Sequence, residues 1–484
     1  MPTDPVASPP PPTDLQQIRQ VFDRQRETAL RWRQSTAAER ISRIRSLCNT
    51  MMAHRDALHE AFAADLGKPP AEVEATEFLP VLEEARIASG KLRGWMKPRR
   101  PRPTLTMLGT FARVQYQPRG RTLIIAPWNY PLSLCFGPLV SALAAGNPVI
   151  LKPSEWTPAV SGRMAQIIDE AFPDSEVALF EGTAETAMAL LDLPFEHIFF
   201  TGSPAVGSAV MASAATHLAS VTLELGGKSP AVVCESADLR LAAETLMWGK
   251  FLNDGQTCIA PDHVWVHASV KEAFIEECRV ILLARYGSDT RRPAPDLARI
   301  VNRRHTERIT HLLADALERG ARLRLGGTVD LDRHFIAPTL LDQIPRDAAI
   351  LNEEIFGPVL PILEYTQTDA VIDAINARPK PLALYVWSRD RRETAAIVAR
   401  TSSGGACINH CVVQFAHSNL PFGGVNGSGL GSAHGFHGFK TFSHERAILR
   451  SSPIMLSRMF HPPYTKSRLR LVRAVVDLLH RLGR

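Results

Sequence analysis

Regular cysteine spacing is missing from this chain. Its seven cysteines, Cys48, Cys135, Cys234, Cys258, Cys278, Cys407 and Cys411, are odd in number and follow no disulfide framework. No charged-then-apolar leader precedes them, so reduced thiols in a cytoplasm are expected. Charge of one sign is also scarce: a net +6 over 484 residues, with aromatics at 7%, argues against the basic, aromatic-lined surface of a nucleic-acid binder. No uninterrupted membrane span is present. The uncharged stretch from Thr122 to Leu151 is broken by Pro127, Asn129, Pro131, Pro138 and the Gly146-Asn-Pro148 turn, which suit a strand, a turn and a short buried helix. Cys407 and Cys411 have His410 and His417 nearby but no second ligand pair at zinc spacing, so small buried side chains are expected there and no metal site.

What is present is ordinary globular composition, 45% hydrophobic and 21% charged, at about three times the usual ~150-residue domain length. A Pro-rich leader, Met1 to Thr13, cannot pack and is expected to be disordered. From Asp14 to about Trp95 apolar residues recur at helical spacing (Ile18, Val21, Phe22; Leu47, Met51, Met52; Leu58, Phe62), with a break at Pro69-Pro70. Short β-rich runs then alternate with helical patterns: Thr122 to Ala126, Pro148 to Leu151, Val177 to Phe180, His197 to Thr201, Val221 to Leu225 and Ala231 to Cys234. This alternation marks βαβ units in a parallel sheet. It resumes through Val264 to Val266, Ala298 to Val301 and Leu384 to Trp387, which suggests a second α/β domain.

Several tracts carry chemistry, each with a plainer reading beside it. Phe200-Thr-Gly-Ser-Pro-Ala-Val-Gly207 leads from a strand into a helix, where a backbone can approach a pyrophosphate; it is also an ordinary strand-to-helix turn. Lys152-Pro-Ser-Glu155 stands at a strand's C-terminal edge and suits ribose hydroxyls, or a solvated surface pair. Pro127-Trp-Asn-Tyr-Pro131 holds an amide in a rigid loop able to donate to an oxyanion, or merely turns the chain. Cys258 alone reads as a small buried hydrophobe. Glu224 changes that, because a Glu in the Leu-rich strand of Leu223-Glu-Leu-Gly-Gly-Lys-Ser-Pro230 is hard to place on a solvated face. A thiol that adds to a carbonyl and a carboxylate that activates water make a two-step acyl transfer.

Together with Gly255-Gln-Thr-Cys-Ile-Ala-Pro-Asp262, Asn352-Glu-Glu-Ile-Phe-Gly-Pro358 and Leu420-Pro-Phe-Gly-Gly424, these tracts resemble the aldehyde dehydrogenase superfamily over roughly Asp14 to Tyr464. The Cys-Ile-Ala-Pro-Asp ending, Thr441-Phe-Ser-His444 and Pro462-Pro-Tyr464 are similar to its class 3 branch of fatty and aromatic aldehyde enzymes, coniferyl aldehyde dehydrogenases included. The resemblance implies an α/β fold with a Rossmann-type cofactor domain, an α/β catalytic domain and a small β oligomerisation arm. It implies NAD(P)-binding residues 14–223 with an oligomerisation hairpin near 107–121, a catalytic domain 224–415, a return to the cofactor domain over 416–450, and a tail 451–484.

It further implies that Cys258 is the nucleophile, Glu224 the base for deacylation, and Asn129 with the Cys258 backbone N–H the oxyanion hole. Lys152 and Glu155 would hold the adenosine ribose, Gly202, Ser203 and Gly207 the pyrophosphate turn, and Glu354 and Phe356 the nicotinamide ribose and ring. The cofactor implied is NAD, with NADP possible: Glu155 would repel a 2′-phosphate and so favours NAD, while class 3 relatives often accept both. The reaction would be aldehyde oxidation to a carboxylic acid. CoA-acylating or acyl-phosphate relatives typically lack the Glu of this tract, and a non-catalytic aldehyde-binding homologue would have lost the nucleophile or the base. Asn426 departs from the family, which usually has a small residue such as Gly there.

Exposed strands at Ala112 to Arg119 and Lys440 to Leu449 resemble oligomerisation arms that pair across subunits, so a homodimer is expected. In the tail, Leu469, Val472, Val475, Val476, Leu479 and Leu482 share a helical face opposite Arg470, Arg473, Arg481 and Arg484. Such a helix fits peripheral contact with a membrane surface, or packing over the substrate entrance.

Overall fold

Short apolar runs become strands here because both faces of each are covered by helices. In the computed structural model, which describes residues 15–483 apart from 288, 290, 291, 454–457 and 459, every residue of Thr122–Ile125, Val149–Lys152 and Pro230–Val233 is buried. That is the pattern of a doubly covered parallel sheet. The leader Met1 to Thr13 lies outside the described residues.

The first sheet has six strands in the spatial order 429–430, 220–225, 197–202, 122–125, 149–152, 177–179. Its neighbours are parallel except at the edge, where Gly429–Leu430 runs antiparallel to the Glu224 strand. The second sheet has seven strands in the order 405–408, 383–387, 230–233, 263–267, 359–365, 339–342, 322–325, again parallel but for the last. The order 220–225, 197–202, 122–125, 149–152, 177–179 is doubly wound, with the 122–125 strand central, and places the loops after 125, 152 and 202 along one C-terminal edge.

The helical stretch expected after Asp14 is three long helices, Leu15–Trp32, Ala37–Ala53 and Arg55–Leu66, and then Leu79–Trp95. Thr36 caps the second through a reciprocal bond with Glu39. The third ends at Gly67 in the left-handed region, and a new helical segment starts at Pro70. Between Pro70 and Leu79 the chain makes a wide π-turn, Glu74–Phe78, a form often found at functional sites. The stretch from Thr122 to Leu151 folds as expected into strand, loop and a buried helix, Ser133–Ala145, which keeps Pro138 inside it.

Three expectations are corrected. Ala298 to Val301 is not a ladder strand: the N–H groups of Arg299, Ile300 and Val301 bond Leu66 O, His334 O and the Gln256 side chain instead. The segment near 107–121 forms no hairpin. Its strand Thr110–Pro118 pairs antiparallel with Ser443–Ser451 of the same chain, so the two arms meet each other in a two-stranded ribbon. The expected boundary at 223/224 falls inside strand Ser220–Leu225, whose partner is the cofactor-side strand His197–Gly202. The crossing to the second sheet comes after Leu225, at the Gly226-Gly227 turn.

Among the described residues no helix is long and apolar enough to cross a membrane. The helix Lys466–Leu482 buries none of its side chains on the rest of the chain.

Candidate active site

Cys258 sits on a turn that follows the helix Leu239–Phe251 and a tight 3-10 segment, Leu252–Gly255. Asn253 and Asp254 there are left-handed, and Gly255 must be Gly: at φ +76°, a Cβ would meet Gly357 O at 2.3 Å. The turn is tied down on all sides. Tyr385 Oη donates to Ile259 O at 2.6 Å, Tyr130 Oη and Thr257 Oγ1 are 2.6 Å apart, and Gln256 Nε2 donates to Asn253 O and Arg299 O.

The same network fixes Asn129 relative to the cysteine. Its side-chain amide donates to Gln256 O at 2.9 Å, while its own carbonyl accepts from Asn253 Nδ2 at 2.8 Å and Lys68 Nζ at 3.2 Å. One amide N–H is thus committed two residues from Cys258, which holds the Asn129 side chain against the turn that carries the cysteine. Lys68 is wholly buried and paired with wholly buried Glu77 at 2.8 Å; Glu77 also accepts from Ser133 N–H. A buried ion pair therefore anchors the Asn129 loop, with the Lys68 ammonium 4.3 Å from the Tyr130 ring centroid.

Cys258 is half-buried and floors a cavity of about 400 Å³ lined largely by apolar groups, among them Leu134, Trp248, Leu252, Ile259, Val412 and Phe415. Burial, followed by the negative charges of Glu354 and Glu224, pushes its thiol up to about 12, against the N–H groups of Cys258 and Ile259 that face the sulfur. The resting thiol is therefore protonated at neutral pH and needs a proton acceptor to react.

Two carboxylates stand by. Glu224 is buried in strand Ser220–Leu225, neither oxygen has a hydrogen-bond partner, and burial holds it well above the usual carboxylate range. That environment suits a group that takes a proton. Glu354 is pushed up to about 7 by burial, opposed by a bond from the Gly227 N–H. Its backbone is set by an ion pair that the sequence motifs contained without revealing: Lys228 Nζ is 2.5 Å from Asp262 Oδ1 and donates to Ile350 O and Glu353 O, and Asp262 accepts from Ile355 N–H at 2.9 Å. Burial would raise Asp262, but Lys228, His263 and Lys250 hold it well below its ordinary value.

Of the expected cofactor residues, Lys152, Glu155, Gly202, Ser203 and Gly207 lie at one edge of the first sheet, and Glu354 and Phe356 come from the second domain. Lys152 ends its strand and is buried, 3.1 Å from Glu155; burial lowers its ammonium, against the pull of Glu155. Ser203 caps the helix Pro204–Thr216 directly after strand His197–Gly202. A Cβ on Gly207 would lie 2.6 Å from Leu225, so this Gly lets the helix pack against the sheet. Phe356 packs edge-on against Trp128 at 5.4 Å, and Trp128 and Trp156 flank His305, whose buried Nε2 lacks a partner. A Lys–Glu pair beside a capped helix N-terminus offers the donors and acceptors that ribose hydroxyls and a pyrophosphate require. Asn426, the departure in the sequence, occupies φ +54°, a conformation Asn tolerates better than most residues, and accepts from Lys380 at 2.9 Å. No cluster of His, Cys, Asp and Glu among the described residues could hold a metal.

The motifs pointed to Cys258, Asn129, Glu224 and Glu354, and the fold brings these together. They did not point to Lys68, Glu77, Lys228 or Asp262 as supports.

A doubly wound sheet with a Lys–Glu pair and a helix N-terminus at its C-terminal edge, joined to an α/β domain that supplies a thiol, defines an NAD(P)-dependent oxidoreductase. More narrowly, the chain belongs to the aldehyde dehydrogenase family, whose profile matches residues 4–448. It is 43% identical over 432 residues to a putative aldehyde dehydrogenase, AldX, of Bacillus subtilis, covering 89% of this chain and 97% of that one. It is 38% identical over 462 residues to a probable coniferyl aldehyde dehydrogenase of Pseudomonas aeruginosa (95% and 96%). Identity to aldehyde dehydrogenase family 3 member B1 of Homo sapiens is 39% over 457 residues (94% and 96%). The substrate-bound structure of Staphylococcus aureus AldH superimposes with a TM-score of 0.90 at 39% identity, covering 95% of this chain and 99% of that one. The chain is an NAD(P)-dependent aldehyde dehydrogenase of the class 3 kind.

Proposed function

We propose that the enzyme oxidises medium- or long-chain aliphatic aldehydes, or aromatic aldehydes of the coniferyl type, to carboxylic acids through a thioester on Cys258. One observation carries this reading: a single thiol floors a largely apolar cavity of about 400 Å³, with two proton-accepting carboxylates close enough to oppose its ionisation. The apolar walls favour an extended or ring-bearing aldehyde over a small hydrated one.

In this scheme Cys258 gives its proton to the Glu354 carboxylate and its sulfur bonds to the aldehyde carbon. The developing oxyanion lies within reach of the free Asn129 N–H and the Cys258 backbone N–H. Lys152 and Glu155 would hold the adenosine ribose, Gly202, Ser203 and Gly207 the pyrophosphate, and Glu354 and Phe356 the nicotinamide ribose and ring. When bound, the nicotinamide supplies the hydride acceptor that no side chain can replace. Glu224 then deprotonates water, which attacks the thioester carbonyl; the C–S bond breaks and the acid leaves. Relatives that pass the acyl group to CoA or phosphate typically lack this Glu, so Glu224 argues for hydrolysis. Glu155 favours NAD by repelling a 2′-phosphate, and NADP is the weaker alternative.

The Glu224→Gln variant tests the scheme. With an aldehyde and NAD it should accumulate an acyl mass on Cys258 that the wild-type enzyme clears; no adduct in either protein would overturn the thioester. A panel of aliphatic and aromatic aldehydes, assayed with both cofactors, identifies the substrate class.

A homodimer is part of the same reading. Phe111 and Leu449 are 61% and 57% exposed on the 110–118/443–451 ribbon, apolar surface that a second copy would cover. The free Lys466–Leu482 helix exposes Leu469, Val476, Leu479 and Leu482 beside Arg470, Arg473 and Arg481, which fits peripheral contact with the anionic inner face of a cytoplasmic membrane. Deleting residues 465–484 should abolish binding to anionic liposomes; retained binding would overturn this placement.

A further inference from the structure

Behind the substrate cavity lies a second one of about 40 Å³, and Cys258, Ser133 and Phe415 line both. Glu224 opens onto the smaller cavity and not the larger. So do His434 and Glu84. The volume exceeds the roughly 10–15 Å³ that one water needs by this measure. Part of its polar lining is unsatisfied: both Glu224 oxygens and Ser133 Oγ are buried without a hydrogen-bond partner. Buried polar groups of that kind, gathered on one cavity, call for water.

The His434 ring is held in place. Nδ1 is 3.6 Å from Glu84 Oε2, and the rings of Phe415 and Phe422 pack edge-on at 4.8 and 5.5 Å. Glu84 is fixed in turn, accepting from Gly435 N–H at 2.8 and 3.0 Å and from Ser141 Oγ at 3.1 Å. His434 has φ +71°, a conformation rare for a non-glycine residue and one that concentrates at functional sites. Its side chain is 17% exposed, against 4% for Glu84.

Hydrolysis of a thioester generates a proton that the buried Glu224 cannot release directly. While the acyl chain fills the larger cavity, that route is closed. We infer that His434, oriented by Glu84, receives this proton from Glu224 through water in the smaller cavity and passes it to solvent. This rests on the thioester reading above. In the step, Glu224 takes a proton from water, the water oxygen bonds to the acyl carbon and the C–S bond breaks; the departing thiolate takes the proton of the new acid, so Cys258 returns to its resting thiol and the product leaves as a carboxylate. The proton on Glu224 then moves to cavity water and on to the imidazole, with no change in oxidation state. The titratable groups that face His434 across the cavity are Glu84, Glu224 and Cys258. Imidazole is the side chain suited to relay a proton near neutral pH.

Decay of the acyl group on Cys258, followed by quenched mass spectrometry after one turnover of aldehyde with NAD, tests the inference in the full-length enzyme. In His434→Ala the decay should slow at least about tenfold, within the range of acid–base contributions, while first-turnover NADH formation stays within about twofold. Added imidazole should restore the decay, a rescue that a structural role would not produce. Unchanged decay, or slowed decay without rescue, overturns the relay. Should the alanine variant not fold, His434→Gln decides: its acyl decay should slow at least about tenfold while first-turnover NADH formation stays within about twofold, and decay at the wild-type rate overturns the relay. An adduct that forms and decays normally in the variant defeats this inference alone; absence of any adduct in the wild type defeats the thioester reading.

Discussion

The carboxylate of Glu354 occupies the space that a side chain on Gly226 would fill: a Cβ at Gly226 would lie 2.5 Å from Glu354 Oε2. Gly226 has no positive φ to explain it. The glycine is there because an acid from the second sheet must come close to the turn that follows Glu224.

Gly226→Ala should therefore impair function more than stability. The displaced group is the end of a flexible side chain, so the melting temperature should fall by no more than about 2 °C, as for a change well under 1 kcal/mol. The KM for NAD should rise several-fold as Glu354 is pushed aside. An unchanged KM would show that Glu354 does not touch the cofactor.

Asn129→Ala should lower kcat by about 10²-fold or more, the usual effect of losing one oxyanion donor. KM for the aldehyde should move little. The lost bond to Gln256 O should cost about 1 kcal/mol in denaturant unfolding. Unchanged turnover would remove Asn129 from the oxyanion site.

Alkylation of Cys258 by iodoacetamide without cofactor should accelerate with pH. Burial and the neighbouring acids put the thiol at about 12, so the thiolate fraction should grow tenfold per pH unit from neutral to at least about pH 10. Peptide mapping at several pH values reads this directly. A plateau near pH 7 would show that the thiol is already ionised at rest.

Asp262→Asn should destabilise the enzyme by about 3 kcal/mol, because the half-buried Lys228 ammonium loses its buried counter-ion. The Asp262 pKa is depressed in the fold, so its contribution is fully present above the ordinary carboxylate value and lost as pH falls below it. Urea unfolding at neutral and acid pH measures both effects. The difference between wild type and variant should shrink in acid.

The reach of the sequence is clear from individual residues. Cys258, Asn129, Glu224 and Glu354 were legible because each lies in a short tract whose turns and strand edges are locally encoded. Ala298 to Val301 looked like a strand because Ile300 and Val301 are β-branched, yet its donors are taken by Leu66, His334 and Gln256, none of them near in sequence. The 110–118 strand could not announce its partner at 443–451, since a pairing across most of the chain leaves no local trace. Lys68 and Glu77 were silent for the same reason: only the packed structure shows that both charges are buried and meet beneath Asn129.

The edge strand Gly429–Leu430 has a consequence for biosynthesis. It covers the open side of the strand that carries Glu224, and it leaves the ribosome long after that strand does. Until then the nascent sheet presents unpaired backbone groups beside Glu224, an edge open to wrong partners. Strand Ser443–Ser451 emerges later still, so the ribbon closes last. Ribosome-stalled chains ending before residue 429 should expose this edge to chaperones, and chains released beyond residue 451 should not.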